Sequence, residues 1–143
     1  MARKTNLFID TSGWGYLIDR HDPTHRSVVV VYQRAIVQKR KIVTTNYIIT
    51  ELVALLESRH HTPRRQIFTF IDQLKQDPLV DIVHITRTID DEAWDLLKKR
   101  ADKSWSLVDG ASFVVMRRLG LTEALTTDHH FTQAGFARLP EPS

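Results

Sequence analysis

The residues of this sequence best suited to chemistry are four acids that lie far apart along the chain, at Asp10, Glu51, Asp109 and Asp128. Converging carboxylates repel one another unless a cation neutralises them, and a set of oxygen-only ligands suits hard ions such as Mg²⁺ or Mn²⁺. One or two such ions activate a water molecule and stabilise the oxyanions of a phosphodiester during hydrolysis. Whether the acids converge depends on the elements that carry them.

The apolar pattern alternates between short runs typical of buried strands and longer runs with helical spacing. Strands are predicted at 6–9, 42–44, 80–85, 124–127 and 136–139. Helices are predicted at about 11–19, 23–39, 46–59, 63–77, 88–100, 106–118 and 128–133, the fifth capped by Thr88. Strands separated by helices indicate an α/β fold with a parallel sheet covered on both faces.

This arrangement places the four acids at one edge of the sheet. Asp10 follows the first strand and Asp128 follows the fourth, so both project from carboxyl ends of strands. The helix that begins at Ser106 runs directly into the fourth strand, so its own start, with Asp109, lies at the same edge. Glu51 is on the second turn of the helix after the second strand. Open α/β sheets bind ligands outside this edge, where the strand order reverses.

Each acid also has a purely structural explanation. Asp10 and Asp128 suit helix N-caps. Ser106 and Asp109 have the spacing of a capping box, and Glu51 could be a solvated helix residue. Asp109 fits a structural role least well, because its helix is apolar nearly all round and an isolated buried charge is costly. Taken jointly, the acids favour a metal site.

The bulk composition is that of a soluble protein of 143 residues, and we expect one domain spanning 1–143. The longest apolar run, Val28 to Tyr32, is far short of the roughly 20 residues that span a bilayer. No secretory signal is recognised, so we expect a cytoplasmic protein that does not enter membranes. The absence of cysteine excludes disulfides and thiolate metal sites. A net charge of +3 is weak evidence for nucleic-acid binding.

Four segments together resemble the PIN-domain family and, within it, the toxin ribonucleases of bacterial VapC-type toxin–antitoxin pairs. The segments are FIDTSGW around Asp10, TTNYIITEL ending just past Glu51, SLVDGASFVVM around Asp109, and LTTDHHFTQAGF around Asp128. They occur in the order of the family, and the resemblance covers essentially the whole chain. FIDTS alone is a weak motif, whereas the last two segments together are strongly specific.

The resemblance implies a three-layer α/β/α sandwich with a central, mainly parallel sheet of four to five strands. It implies Mg²⁺ or Mn²⁺ and endonucleolytic cleavage of RNA that leaves 5′-phosphate and 3′-hydroxyl ends. It also implies a homodimer and commonly a small antitoxin protein that blocks the site. Carried over by position, Asp10 and Asp109 are expected to be the principal metal ligands. Glu51 matches the second acid, and Asp128 matches the fourth, sometimes outer-shell, acid.

Other residues near these acids carry further expectations. Thr11, Ser12 and Thr127 stand where their hydroxyls could orient water or a carboxylate. Gly110 is unexpected, since glycine inside a helix costs roughly 1 kcal/mol relative to alanine. Either it lets another backbone or the substrate approach closely, or it has no particular role. Apolar residues around 47–56 and 67–74 exceed what one sheet layer needs, which also favours a homodimer.

The histidines do not favour a metal site, because no familiar ligand spacing is present. His129 and His130 lie beside the expected cleft, where contact with RNA phosphate and a solvated turn are both open, the turn being the simpler interpretation. The densest basic run, at 59–65, either lines the RNA path or is an exposed helix junction.

Two other function classes compete with a metal-dependent nuclease. A PIN-like module that binds RNA or protein without cleaving is the main alternative, and the presence of all four acids disfavours it. A phosphoacceptor receiver domain would need an acid pair beside the first strand and a lysine after a late strand. Asp10 stands alone, and 126–132 contains no lysine.

Overall fold

The computed structural model describes residues 5–142. Its strands are β1 Leu7–Ile9, β2 Ile42–Thr45, β3 Val80–Val83, β4 Glu123–Leu125 and β5 Ala137–Leu139. Its helices are α1 Thr11–Ile18, α2 His25–Val37, α3 Asn46–Ser58, α4 Arg64–Gln76, α5 Arg87–Lys99, α6 Leu107–Arg118 and α7 His130–Gln133. The strands form one five-stranded sheet, parallel throughout and flanked by helices, which confirms the predicted α/β fold.

The strand order β3-β2-β1-β4-β5 places β1 at the centre of the sheet. β1 pairs with β2, where Phe8 lies opposite Val43, and with β4, where Phe8 lies opposite Ala124. All three residues of β1 are fully buried, because helices cover both faces of a parallel sheet. The chain builds outward from β1 on one side through β2 and β3, and on the other side through β4 and β5. The order therefore reverses at the carboxyl end of β1, where a ligand site is expected.

Several predicted boundaries were wrong by about two residues, among them the end of β3, the start of α2, and the boundaries of β4, α7 and α5. β4 ends at Leu125 and α7 begins only at His130, so 126–129 form a connecting segment at the sheet edge. The N-cap of α5 is Thr86, whose side chain accepts a hydrogen bond of 3.3 Å from the amide of Ile89. Thr88 lies inside the helix instead. Both threonines suit a cap by residue type, and only the exit direction of β3 decides between them.

Two glycines let the elements around the site pack closely. A Cβ on Gly13 would lie 2.3 Å from the backbone oxygen of Leu125, so α1 sits directly against the end of β4. A Cβ on Gly110 would lie 3.2 Å from the backbone oxygen of Ala93. Gly110 therefore admits another backbone, that of α5, which was one of the two explanations offered by the sequence.

Fewer apolar side chains of α3 and α4 are left for a dimer interface than the sequence pattern indicates. On α3 and α4 the buried side chains, which belong to the core of the single chain, are Ile48, Leu52, Leu56, Ile67, Ile71 and Leu74. Phe68 is 51% exposed and is the main large apolar side chain left open on these helices. Within residues 5–142, no helix combines the length and the apolar character needed to cross a membrane.

Candidate active site

Asp10 lies at the middle of the carboxyl edge of the sheet, because it directly follows the central strand β1. It occupies the N-cap position of α1, yet its side chain makes no capping hydrogen bond. Its backbone amide donates to the carbonyl oxygen of Leu125 over 3.2 Å, which ties it to β4. The residue is 5% exposed, and its Oδ2 accepts a 3.0 Å hydrogen bond from the hydroxyl of Thr126. Capping therefore does not account for this buried acid.

The surroundings of Asp10 disfavour its ionised form. Burial raises the pKa of the Asp10 carboxyl from 3.8 to about 7. The Thr11 amide and the Thr126 hydroxyl lower this pKa, whereas the negative charges of Asp109 and Glu51 raise it further. Two of the other predicted acids, Asp109 and Glu51, therefore lie close enough to act electrostatically on Asp10. A bound cation would offset both the burial and the repulsion.

A network of hydroxyls and amides fixes the Asp10 carboxylate. The Asp128 amide donates to Thr126 Oγ1 over 3.0 Å, and the Thr127 amide donates to Ser12 Oγ over 3.1 Å. The two hydroxyl oxygens of Ser12 and Thr126 are 3.1 Å apart. Because the Thr126 hydrogen points to Asp10, the Ser12 hydroxyl is the donor of this pair. The chain of donors thus ends on the carboxylate and orders it.

Of the three hydroxyl residues singled out in the sequence, Thr11 and Ser12 lie in the site, and Thr127 contributes only its backbone. Thr127 is exposed, while its neighbour Thr126 is buried and bonds Asp10. Thr126 was not among the residues predicted from the sequence. Side chains of adjacent residues at the end of a strand point to opposite sides. Choosing Thr126 over Thr127 therefore required knowing that β4 ends at Leu125, which the sequence pattern did not give.

Glu51 reaches the site from α3. The side chain of Thr45 caps this helix directly after β2, which places Glu51 on the second turn at the sheet edge. The Thr11 hydroxyl donates to Glu51 Oε1 over 2.5 Å and so links α3 to the residue after Asp10. Glu51 itself is exposed to solvent, which leaves it accessible to a ligand.

Asp109 both caps the start of α6 and contacts another residue of the site. Its amide donates to Ser106 Oγ and its Oδ2 accepts from the Ser106 amide, both over 3.0 Å, so the capping box is present. The same Oδ2 lies 2.9 Å from His130 Nδ1. That nitrogen is also 3.3 Å from Asp128 Oδ1, which accepts a 2.9 Å bond from the His130 amide. His130 therefore links the third and fourth acids.

His130 does not lie on the solvated turn that the sequence favoured, whereas its neighbour does. The His130 side chain is 17% exposed and that of His129 is 67% exposed. The difference arises at Phe131, which is fully buried with its ring centroid 5.0 Å from that of Phe113. Because Phe131 is held in the core, the imidazole of the preceding residue, His130, faces Asp109 and Asp128.

The four acids lie at one edge but are not a compact cage. Among residues 5–142, Asp128, His129 and His130 are the only group of three acidic or histidine side chains whose ligand atoms all lie within 4.8 Å. The carboxylates of Asp10, Glu51 and Asp109 are spaced more widely. Such spacing suits Mg²⁺, which commonly keeps several waters and takes only one or two carboxylates. The oxygen donors present therefore fit a hard divalent ion.

A family model, a similar sequence and a similar crystal structure agree in the comparison with known proteins. The PIN domain family model matches residues 7–137. The 23S rRNA-specific endonuclease VapC20 of Mycobacterium tuberculosis is 28% identical over 134 residues, which is 93% of this chain and 97% of VapC20. The crystal structure of VapC20, a Sarcin-Ricin loop cleaving toxin, has a TM-score of 0.79 and covers 92% of this chain and 97% of its own.

More distant structures share only the fold. FitAcB from Neisseria gonorrhoeae has a TM-score of 0.64 at 18% identity and covers 92% of this chain and 95% of its own. FitAB bound to an IR36 DNA fragment has a TM-score of 0.65 at 16% identity and covers 93% of each chain.

Proposed function

This chain belongs to the PIN-domain family, and from that premise we propose that it is an endoribonuclease that hydrolyses RNA phosphodiesters with Mg²⁺ or Mn²⁺. We propose that one such domain occupies 1–143 and acts as the toxin of a toxin–antitoxin pair in the cytoplasm. The observation that carries this proposal is Asp10, a buried acid at the reversal of strand order with the charges of Glu51 and Asp109 acting on it. Buried charges in proteins are paired with an opposite charge or coordinate a metal ion.

In this proposal Asp10 and Asp109 are the principal ligands of the ion, with Glu51 as the second acid and Asp128 as the fourth. The ion, when bound, activates water and neutralises charge on the phosphodiester. The residues of the chain hold the ligands in place for it. Thr126 orients Asp10 through its hydroxyl, at 3.0 Å.

Three further contacts serve the same purpose on Glu51 and Asp109. The Thr11 hydroxyl orients Glu51, and the Ser106 amide and the His130 ring together fix Asp109 Oδ2. Each carboxylate is therefore positioned before an ion binds, which lowers the cost of assembling the site.

Two residues of the basic run at 59–65 lie beside the residues of the site. Arg59 and His60 line, together with Ser12, a cavity of about 200 Å³ beside α1. We propose that this side of the cleft contacts the phosphate backbone, because cationic side chains supply most sequence-independent affinity for nucleic acid. VapC20 is named for 23S rRNA and its structure for the sarcin–ricin loop, so a loop of that kind is the first substrate to test.

The test is cleavage of a sarcin–ricin loop RNA by purified protein with Mg²⁺, with Mn²⁺ and with EDTA. We expect cleavage with either ion, none in EDTA, and products with 5′-phosphate ends. Asp10→Asn should abolish cleavage, while Asp72→Asn, an exposed change on α4, should not. Cleavage in excess EDTA would refute the metal mechanism. RNA binding without cleavage of this loop or of total RNA would instead support a non-catalytic PIN-like module.

We further propose a homodimer and a small antitoxin protein as partners, both from the family resemblance. The exposed Phe68 supports an interface on α4, although most apolar residues of α3 and α4 are already covered. Light scattering at tens of micromolar should give twice the mass of the chain. A monomer mass would contradict the dimer, and the reading frame beside this gene should encode the antitoxin.

A further inference from the structure

A cavity along the edge strand β3 has no part in the chemistry proposed above. Its volume is about 570 Å³, and residues of α3, α4 and β3 line it. Val80 and Ile82 contribute alternate side chains of β3, and Ile49 contributes one from α3. Small-molecule sites are typically clefts of about 300–1,000 Å³ with apolar walls and a few polar groups. The cavity is therefore large enough for a ligand the size of one nucleotide.

The polar side chains of the cavity favour an anionic ligand. They are Asn46, Thr50, Lys75 and His84, and none of the lining residues within 5–142 is acidic. In the same part of the chain Lys75 forms no ion pair with an acid, unlike Lys41, Lys98 and Lys103. Its ammonium group is therefore available for a ligand. Because no carboxylate lines the cavity, a phosphate group can bind here without a metal ion.

Neutral groups of the cavity supply the hydrogen bonds that the edge of a base requires. Asn46 Oδ1 accepts a 2.7 Å hydrogen bond from the Ile85 amide, which fixes the side chain and leaves its N–H groups as donors. The Thr50 hydroxyl donates to the Asn46 carbonyl oxygen over 3.0 Å, so its own oxygen can still accept. An edge strand also presents unpaired backbone groups on its outer side. Proteins recognise the unpaired bases of RNA loops by hydrogen bonds of this kind.

The cavity lies beside the acidic site. Thr50 directly precedes Glu51 on α3, so their side chains leave adjoining faces of a helix that is about 10–12 Å across. A stacked strand advances about 3.4 Å per nucleotide, so RNA that crosses this distance uses about three nucleotides. We propose that the cavity binds one unpaired nucleotide of the RNA substrate, within about three positions of the cleaved bond. Its base packs on Ile49 and Ile82, and its phosphate contacts Lys75.

Because this role rests on the proposed endoribonuclease activity, binding is tested separately from cleavage. The experiment measures the affinity of a synthetic sarcin–ricin loop hairpin for Asp10→Asn protein, which leaves the RNA intact. Thr50→Phe fills the cavity and should weaken binding about tenfold or more, since the packing of one base is worth about that factor. The matched control is Thr69→Phe on α4, an exposed threonine whose hydroxyl also donates to the carbonyl oxygen four residues earlier. It should bind RNA normally.

The phosphate contact has a signature of its own. Lys75→Gln should reduce the slope of log affinity against log salt concentration by about 0.7, the contribution of one phosphate in a single strand. Lys98→Gln removes the same charge from α5, where this side chain is 64% exposed, and should leave the slope unchanged. An unchanged slope in Lys75→Gln would contradict the phosphate contact.

The bound nucleotide is located by replacing the loop nucleotides with an abasic residue, one at a time. One replacement should weaken binding about tenfold, yet have little further effect when Thr50→Phe is also present, because both changes remove the same contact. Replacements that all act independently of Thr50→Phe overturn the proposal, and so do equal affinities of Thr50→Phe and Thr69→Phe. A change of mass in light scattering with Thr50→Phe also overturns it, because a second copy of the chain then covers the cavity.

Melting curves taken first establish that each variant is folded, and if Thr50→Phe is not, the salt slope of Lys75→Gln decides. Cleavage by the wild type is measured in parallel. A wild type that cleaves RNA while the cavity variants bind normally refutes only the nucleotide site. A wild type that binds through the cavity but cleaves nothing refutes only the nuclease.

Discussion

Replacing Asp10 by asparagine removes the most costly charge of the proposed site. The pKa of this carboxyl is raised from 3.8 to about 7, first because burial removes water from the ionised form. A shift of that size corresponds to about 4 kcal/mol of destabilisation by the ionised form, taken as an upper bound. The carboxylate thus weakens the metal-free fold at neutral pH, and Asp10→Asn should relieve it.

The sign of this effect depends on pH. Below 3.8 the carboxyl is protonated in both the folded and the unfolded chain, so no destabilisation is present. Between 3.8 and about 7 the unfolded chain ionises first, so the wild type loses stability as pH rises, and the loss levels off above about 7. From pH 5 to pH 8 the wild type should lose about 2–3 kcal/mol of unfolding free energy relative to Asp10→Asn.

The slope with pH, and not the absolute difference, is the decisive quantity. The new amide group must face oxygen and nitrogen atoms arranged for a carboxylate, and an unsatisfied donor costs about 1–3 kcal/mol at every pH. The assay is urea unfolding of both proteins in EDTA at several pH values from 5 to 8. A simple capping role predicts no slope, since asparagine caps about as well as aspartate. A difference that stays constant between pH 5 and pH 8 would refute the reasoning.

Mg²⁺ provides a second arm of the same experiment. An ion that binds only the folded chain stabilises it by about 2.7 kcal/mol when present at 100 times its dissociation constant. At pH 8, added Mg²⁺ should therefore raise the unfolding free energy of the wild type and leave that of Asp10→Asn nearly unchanged. An equal response of both proteins would mean that Asp10 holds no ion.

Three further predictions concern the surroundings of the acids. Thr126→Val removes the hydroxyl that donates to Asp10 and should reduce cleavage at least tenfold, whereas Thr127→Val should retain most activity; equal losses would contradict the assigned network. Gly110→Ala places a Cβ 3.2 Å from the Ala93 oxygen, and the resulting overpacking, worth about 1–3 kcal/mol, should lower the melting temperature. The control Gly15→Ala should be neutral or stabilising, because its Cβ would meet only a side-chain carbon at 3.5 Å. Melting curves check this pair, and a stabilised Gly110→Ala would show that α5 yields easily. Ca²⁺ should support little cleavage compared with Mg²⁺, because its larger radius does not reproduce tight octahedral geometry, and equal rates would argue against that requirement.

The α/β fold and the shared edge of the acids were predictable from sequence for a topological reason. Asp10, Glu51 and Asp128 each lie within a turn or two of the carboxyl end of a strand, so the alternation of strands and helices fixes their edge without any knowledge of side-chain contacts. The prediction for Asp109 needed one more step of reasoning. Because α6 leads directly into β4, it must run back along the sheet, and its first turn therefore lies at the carboxyl edge. That step holds wherever a helix connects two parallel strands.

The contacts between the acids were not predictable, since they depend on where each element ends. Thr126 and Thr127 are alike in type, and the point at which β4 ends decides which hydroxyl faces Asp10. The position of His130 depends on Phe131, a core contact between residues remote in sequence. Similarly, the apolar residues of α3 and α4 were counted against one sheet layer, although these helices also bury side chains against each other.

The central position of β1 has a consequence for how the protein is made. Asp10 and its partner Thr126 are 116 positions apart, and β1 lacks one of its two neighbours until β4 is present. At roughly 5–20 residues per second, a ribosome needs roughly 6–23 s to add this stretch. For most of that interval the growing chain lacks Asp109, and only near its end is β4 added beside β1. The acidic site of this chain therefore cannot be completed until translation is almost finished.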